Sequence, residues 1–205
     1  LYSKTGAMQS TEKIRQLVLS SINVKQQILA QPELLQRLAD ITDLIVAAFN
    51  NGNKVLFCGN GGSAADAQHL AAEFSGRFYI YRRPLPSEAL HCNTSYLTAV
   101  GNDYGFEHIY ARLVKGTGKK GDILFGISTS GNSPKIIHAL EEARQMGITT
   151  IGMTGETGGK MKDKCDYLLN IPSSDTPRIQ ESHILLGHII CQLAEEKLFG
   201  ESNKF

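Results

Sequence analysis

Twice in this chain a short apolar run ends in a glycine- or serine-rich loop and resumes as a helical pattern, and that repetition restricts the fold more than any other feature. The first run, residues 54–58, stops at Gly59-Asn60-Gly61-Gly62 and gives way to an alanine-rich stretch over 63–75. The second, 122–127, meets Ser128-Thr129-Ser130-Gly131-Asn132-Ser133 and continues as a helical pattern through Met146. Ser133 at the N-cap, Pro134 at the first helical position and Gly147 just past the end punctuate that helix. A third run, 148–153, turns through 154–159 and leads to a last strand at 167–171; 85–92 is a further strand candidate. Helical segments are expected between 95 and 114, and one long helix over 176–198. Strands that alternate with helices require right-handed crossovers and a parallel sheet covered on both faces. The expected fold is α/β, a three-layer αβα sandwich with a parallel sheet of about five strands. Ahead of it, apolar residues at three- and four-residue steps (Ile14, Leu17, Val18, Ile22, Ile28, then Leu34, Leu38, Ile41, Ile45) predict an N-terminal helical hairpin.

A length of 205 residues with 41% hydrophobic composition fits a single domain able to bury a core. The net charge is +1 with Lys and Arg scattered, so the basic stripe that nucleic-acid binding needs is missing. No apolar run reaches the eighteen or so residues of a membrane span, and the N-terminus lacks a signal layout. A cytoplasmic protein is expected, with Cys58, Cys92, Cys165 and Cys191 as reduced thiols, since none has C-x-x-C spacing. Residues 1–7 precede Met8 without a periodic pattern; they read as an expression-vector remnant and are left out of the fold reasoning.

In open parallel sheets, ligands sit beyond the carboxyl ends of the strands, where loops meet helix N-termini. The four hydroxyl residues Ser128, Thr129, Ser130 and Ser133 crowd such an entrance, so hydroxyls and free backbone N–H groups can converge on a phosphate. Neither loop reads G-x-x-x-x-G-K-[ST] or G-x-G-x-x-G, which disfavours nucleoside triphosphates and dinucleotides. Serine, glycine and asparagine are also plain turn formers, and composition alone fits both readings.

On the helix after the first loop, four-residue spacing puts His69 and Glu73 on one face. Gln180 and His188, two turns apart on the last helix, can project to one side in the same way. A His–Glu pair on a helix is more often solvated or packed than functional. Its position just after a ligand-end loop argues the other way, and the set His69, Glu73, Gln180, His188 would suit a borderline divalent ion such as zinc. Spacing does not establish that the two pairs meet.

These segments, Gly59-Asn60-Gly61-Gly62-Ser63, Gln68-His69-Leu70-Ala71-Ala72-Glu73, Gly101-Asn102-Asp103, Ser128 to Ser133 and Arg178-Ile179-Gln180-Glu181 with His183, resemble the sugar isomerase (SIS) domain and, within it, the phosphoheptose isomerases. The resemblance implies a flavodoxin-like SIS domain over 51–205 and oligomerising helices over 8–50, within one domain overall. It implies an aldose–ketose isomerase that converts D-sedoheptulose 7-phosphate to D-glycero-D-manno-heptose 7-phosphate through an enediol, for lipopolysaccharide or capsule. Ser128, Thr129, Ser130 and Ser133 would hold the sugar phosphate; Asn60, Gly61, Gly62, Asn102, Asp103, Glu73 and Gln180 would contact the rest of the substrate. Glu73 would be the base and His188 the acid, and His69, Glu73, Gln180 and His188 would bind one zinc per subunit of a homotetramer. Glu73 thus carries two roles, ligand and base. One departure is Pro177, where some members carry an aspartate before the Arg-Ile-Gln motif; the nearest acid is Asp175.

The alternative reading is the family's non-catalytic branch, which binds a replication initiator and lacks the glutamate and the final histidine. This chain keeps Glu73 and His188, which favours an enzyme. His91, His108 and His138 read as surface or packing residues; His183 fits equally a place behind the ligands or a packing role, and Arg82-Arg83-Pro84 reads as a solvent-exposed basic turn that could lie near the substrate.

Overall fold

A parallel strand buried on both faces needs an almost continuous apolar run, and the runs named above line up in one sheet. The computed structural model describes residues 4–200, and the side chains from residue 9 onward. Five strands, β1 (Val55–Gly59), β2 (Ser87–Ala89), β3 (Ile123–Ile127), β4 (Thr149–Thr154) and β5 (Tyr167–Asn170), stand in the order β2-β1-β3-β4-β5. All four pairings are parallel. From β1 the chain crosses outward to β2 and then returns to β3 on the other side, so the winding reverses between β1 and β3. These two strands pair from Val55 with Ile123 to Gly59 with Ile127, and their loops leave the sheet side by side at that switch point.

Among the described residues there are seven α-helices, and six of them pack around the sheet. Val55, Phe57, Ile123, Phe125, Ile151 and Met153 point to one face, where α2 (Pro32–Asn50), α3 (Gly62–Ser75) and α7 (Thr176–Phe199) lie. Phe57 stacks on Phe125 at 4.9 Å between ring centroids, with Phe74 of α3 beyond. Leu56, Cys58 and Leu124 point to the other face and meet α4 (Thr94–Tyr104), α5 (Ile109–Thr117) and α6 (Pro134–Gln145). The alternation along each strand therefore divides the core into two apolar layers. Cys58 and Cys191 are buried, Cys92 is exposed and Cys165 half-buried; all four are free thiols.

The first helix, α1 (Lys4–Leu29), is joined to α2 by a two-residue turn. It reaches back through Lys4 to Ala7, part of the segment set aside as a remnant; residues 1–3 and 201–205 lie outside the described residues. Among the described side chains of α1, only Val24 and Ile28 are buried. Lys25 Nζ donates to Glu181 at 2.6 Å, and Arg178 Nη1 donates to the Leu17 carbonyl at 2.7 Å, which ties α1 to α7.

The strand expected over 85–92 is only three residues long. Pro84 and Pro86 flank its start and cannot donate to a ladder, and the chain turns again where Cys92 N–H donates to the Ala89 carbonyl. β2 is accordingly a short edge strand. The expected helical stretch between 95 and 114 is two helices, α4 and α5, separated by a tight turn over Phe106–His108. Asn93 caps α4 by accepting from Tyr96 N–H at 3.0 Å.

Candidate active site

Two loops at the switch point form one wall of the site. Gly61 stands at the N-cap of α3 with φ +55, a backbone region that favours glycine. Behind it, Tyr110 of α5 donates to the Gly59 carbonyl and anchors the loop from the opposite layer. Asn60 Nδ2 donates to Ser133 Oγ at 2.9 Å and joins the first loop to the second. Ser133 does stand at the N-cap of α6 with Pro134 following, as the sequence predicts. Its hydroxyl oxygen accepts from Asn60, however, and makes no cap bond to the helix. The first turn of α6 is left without a side-chain cap, an arrangement suited to an anion. Ser128 is buried, while Thr129 and Ser130 line a hollow of ≈ 190 Å³ with Glu156, Thr157, Ser173 and Thr176. Ordinary turn chemistry is present too: Asn132 N–H donates to Ser130 Oγ at 3.2 Å.

The second wall is the seam between α3 and α7. Contacts run in register along both helices: Gly62 lies against the Gln180 amide, and Leu70 against Gly187. A Cβ on Gly187 would sit 2.5 Å from Leu70 Cδ2, so glycine is what lets the helices approach. The seam brings His188 to the predicted His69–Glu73 pair, while Gln180 lies against Gly62 at the start of α3. His69 Nε2 lies 3.1 Å from Glu73 Oε1 and 2.9 Å from His188 Nε2. Among the described residues, His69, Glu73 and His188 form a group whose ligand atoms all lie within 4.8 Å of one another.

Two imidazole nitrogens and a carboxylate oxygen converge there, and one ring proton cannot bond to all of them. A divalent cation can, and in a tetrahedral zinc site neighbouring nitrogens stand about 3.3 Å apart. The donor set and its spacing therefore fit a borderline metal ion. Burial holds the His188 imidazolium below its ordinary pKa; the nearby His69 adds to that and Glu73 opposes it. A neutral ring is the form that can ligate. One turn before His69, burial pushes the Asp66 carboxyl up to about 6, against the pull of His69, and its Oδ2 is buried without a hydrogen-bond partner.

Not every predicted residue joins this cluster. Asn102 and Asp103 are exposed at the end of α4, where Asn102 Nδ2 donates to Asp103 Oδ1 at 2.9 Å, and neither bonds to the two loops. Of the two roles open to His183, the structure gives it packing: it is fully buried and its Nε2 faces the Thr154 carbonyl at 3.1 Å. Its pKa falls to about 4 because burial outweighs that bond.

Arg82 is the residue the sequence misplaces. Its side chain is only 1% exposed and pairs with Glu195 at 2.8 Å. A basic turn gives no local sign of burial, and Glu195 looks like part of a solvated Glu-Glu-Lys run. The available signal was its position seven residues after His188, on the same face of α7.

A family model described as the SIS domain matches residues 20–155. The phosphoheptose isomerase of Aneurinibacillus thermoaerophilus is 55% identical over 192 residues, covering 94% of this chain and 96% of that protein. That of Clostridium acetobutylicum is 50% identical over 184 residues, covering 90% and 94%. Among solved structures, a phosphoheptose isomerase from Neisseria gonorrhoeae aligns with a TM-score of 0.85 at 42% identity, over 91% of this chain and 98% of that one. One from Francisella tularensis aligns with a TM-score of 0.86 at 38% identity, again over 91% and 98%. Identity and fold agree along nearly the whole length, and the chain belongs to the phosphoheptose isomerases of the SIS-domain family.

Proposed function

We propose that this enzyme isomerises D-sedoheptulose 7-phosphate to D-glycero-D-manno-heptose 7-phosphate, with Glu73 and His188 as its acid–base pair. The observation that carries the reading is the convergence of Glu73, His69 and His188 beside a hydroxyl-lined helix entrance, in a chain 55% identical to a phosphoheptose isomerase. The phosphate fits Ser128, Thr129, Ser130 and Ser133, and the sugar then extends past Asn60, Gly61 and Gly62 toward the α3–α7 seam. There the Glu73 carboxylate takes the proton from C1 of the ketose as the C2 carbonyl oxygen gains one, which gives the enediol. Returning a proton to C2 while O1 loses its own completes the aldose, so no net proton is consumed. His188, held neutral by burial, suits the donor side through an imidazole N–H. His69, Glu73 and His188, with Gln180 from the same seam, would hold a zinc ion, which when bound polarises the substrate carbonyl.

Glu73 and His188 also weigh against the non-catalytic, initiator-binding reading. The exposed apolar row Ile14, Leu17, Val18, Leu19, Ile22 and Leu29 on α1 supports residues 8–50 as the oligomerising part of a homotetramer and 51–205 as the isomerase part. Active sites would then lie near subunit boundaries, within reach of residues such as Asn102 and Asp103. No helix among the described residues is long and apolar enough to cross a membrane. A cytoplasmic enzyme that supplies heptose for lipopolysaccharide or capsule agrees with that and with the substrate.

The test is turnover by the purified protein on sedoheptulose 7-phosphate, fructose 6-phosphate and N-acetylmuramic acid 6-phosphate. Conversion of the first alone is expected. Glu73→Gln and His188→Gln should each lower kcat by about 100-fold or more with the fold intact. Near-normal turnover in either variant removes the role assigned to that residue.

A further inference from the structure

The group beneath the site is an ion pair sealed from water: Arg82 and Glu195 side chains are 1% and 2% exposed. Every polar arm of the pair is used. Arg82 Nε donates to Glu195 Oε1 at 2.8 Å, and Nη2 donates to the carbonyl of Glu73 itself at 2.8 Å. Nη1 reaches the carbonyls of Phe74 at 2.8 Å and Gly76 at 3.0 Å. Glu73 and Phe74 belong to the last turn of α3, whose carbonyls lack helical partners, and Gly76 caps that turn. Glu195 in turn accepts three successive backbone N–H groups, from Phe78 at 2.9 Å, Tyr79 at 2.7 Å and Ile80 at 3.0 Å. The loop so fixed sets the Phe78 ring 5.5 Å from the His188 ring.

We propose that Arg82 and Glu195 are positioning residues for the isomerisation, a single charged couple that fixes the end of α3 carrying Glu73 against the stretch of α7 carrying His188. A buried ion pair adds little net stability compared with apolar packing, so its use here is geometric. Arg82 holds the backbone of the base, and Glu195 holds the loop that backs the acid. Glu195 follows His188 by two turns on the same helix, so the couple controls how far α3 and α7 are offset along their seam. Proton transfer between a carboxylate and a sugar carbon depends steeply on that offset, and a misplacement of about 1 Å can cost about 100-fold. The proposal rests on the acid–base reading of Glu73 and His188.

Arg82→Lys and Glu195→Gln separate positioning from folding. Lysine keeps the charge but cannot span Glu195 and the backbone carbonyls that Arg82 reaches at once; glutamine keeps an acceptor for the amides but loses the charge. Steady-state kinetics on sedoheptulose 7-phosphate, run below each variant's melting midpoint and corrected for the folded fraction, should show kcat down 10- to 100-fold with KM within about 3-fold. Exchange of the substrate's C1 proton with deuterated solvent should slow by the same factor. Amide exchange at residues 78–80 should quicken in Glu195→Gln. Unchanged kcat per folded site in either variant overturns the proposal, as does a kcat loss fully explained by unfolding. Glu73→Gln in the same series keeps the two ideas apart: if it retains turnover, the acid–base reading fails; if it is inactive while both couple variants match wild type, only the positioning role fails.

Discussion

The Nε2 atoms of His69 and His188 face one another at 2.9 Å across the α3–α7 seam. At neutral pH this is an unfavourable meeting of two nitrogen lone pairs unless a proton or a metal ion lies between them. Purified protein should carry one zinc per chain by elemental mass spectrometry. His69→Ala should weaken zinc binding by more than the roughly 100-fold that losing an outer-shell partner costs. Wild-type affinity in that variant would place the metal elsewhere.

Gly187 makes the second prediction, because a Cβ there would meet Leu70, itself 2% exposed and unable to move toward solvent. Gly187→Ala should cost about 1–3 kcal/mol in urea unfolding by overpacking the seam. It should also depress kcat, since the same displacement separates Glu73 from His188. Combining it with Leu70→Val should recover part of both losses, and strict additivity would show that the two residues do not share a contact.

His183 gives stability a pH dependence. Its imidazole is buried neutral with a pKa near 4, against 6.5 for the ordinary value. Between those values the unfolded chain binds a proton that the folded chain refuses, so stability rises with pH across that window and is lost as pH falls through it. The loss from this residue should be roughly 3 kcal/mol by pH 4. His183→Gln, which can still donate to the Thr154 carbonyl, should flatten the stability profile between pH 6.5 and 4. An unchanged slope in that variant would assign the acid sensitivity to other groups.

The hydroxyl loop should act through binding. Removing one hydrogen bond to a charged ligand costs about 1.5–3 kcal/mol, so Ser130→Ala should raise KM for the sugar phosphate about 10-fold or more, with kcat nearly unchanged. A pure kcat effect would place the phosphate away from Ser130.

Much of the fold could be read from the chain because its signals are local. The apolar runs that became β1 and β3 stop at glycine- and serine-rich loops, and those stops marked the carboxyl ends of both strands correctly. The expected length of β2 failed because Pro84 and Pro86 flank its start, a local cue outweighed by the apolar residues around it. At the site, four-residue spacing put His69 beside Glu73, but nothing in spacing says that α7 lies along α3. That pairing depends on Gly187, Gln180 and Leu70 meeting in three dimensions, and only the family resemblance anticipated it. Arg82 shows the limit most clearly: its partner Glu195 is 113 residues away, so its burial has no local signature.

The seam also sets a timetable. His69 and His188 are 119 residues apart, and α7 is the final element before the end of the described chain. While the protein is being made, the sheet and α3 can form before α7 leaves the ribosome, so a nascent chain holds His69 and Glu73 without His188. The His69–Glu73–His188 cluster closes only when α7 docks, and a chain cut short before α7 would lack it even where its sheet had formed.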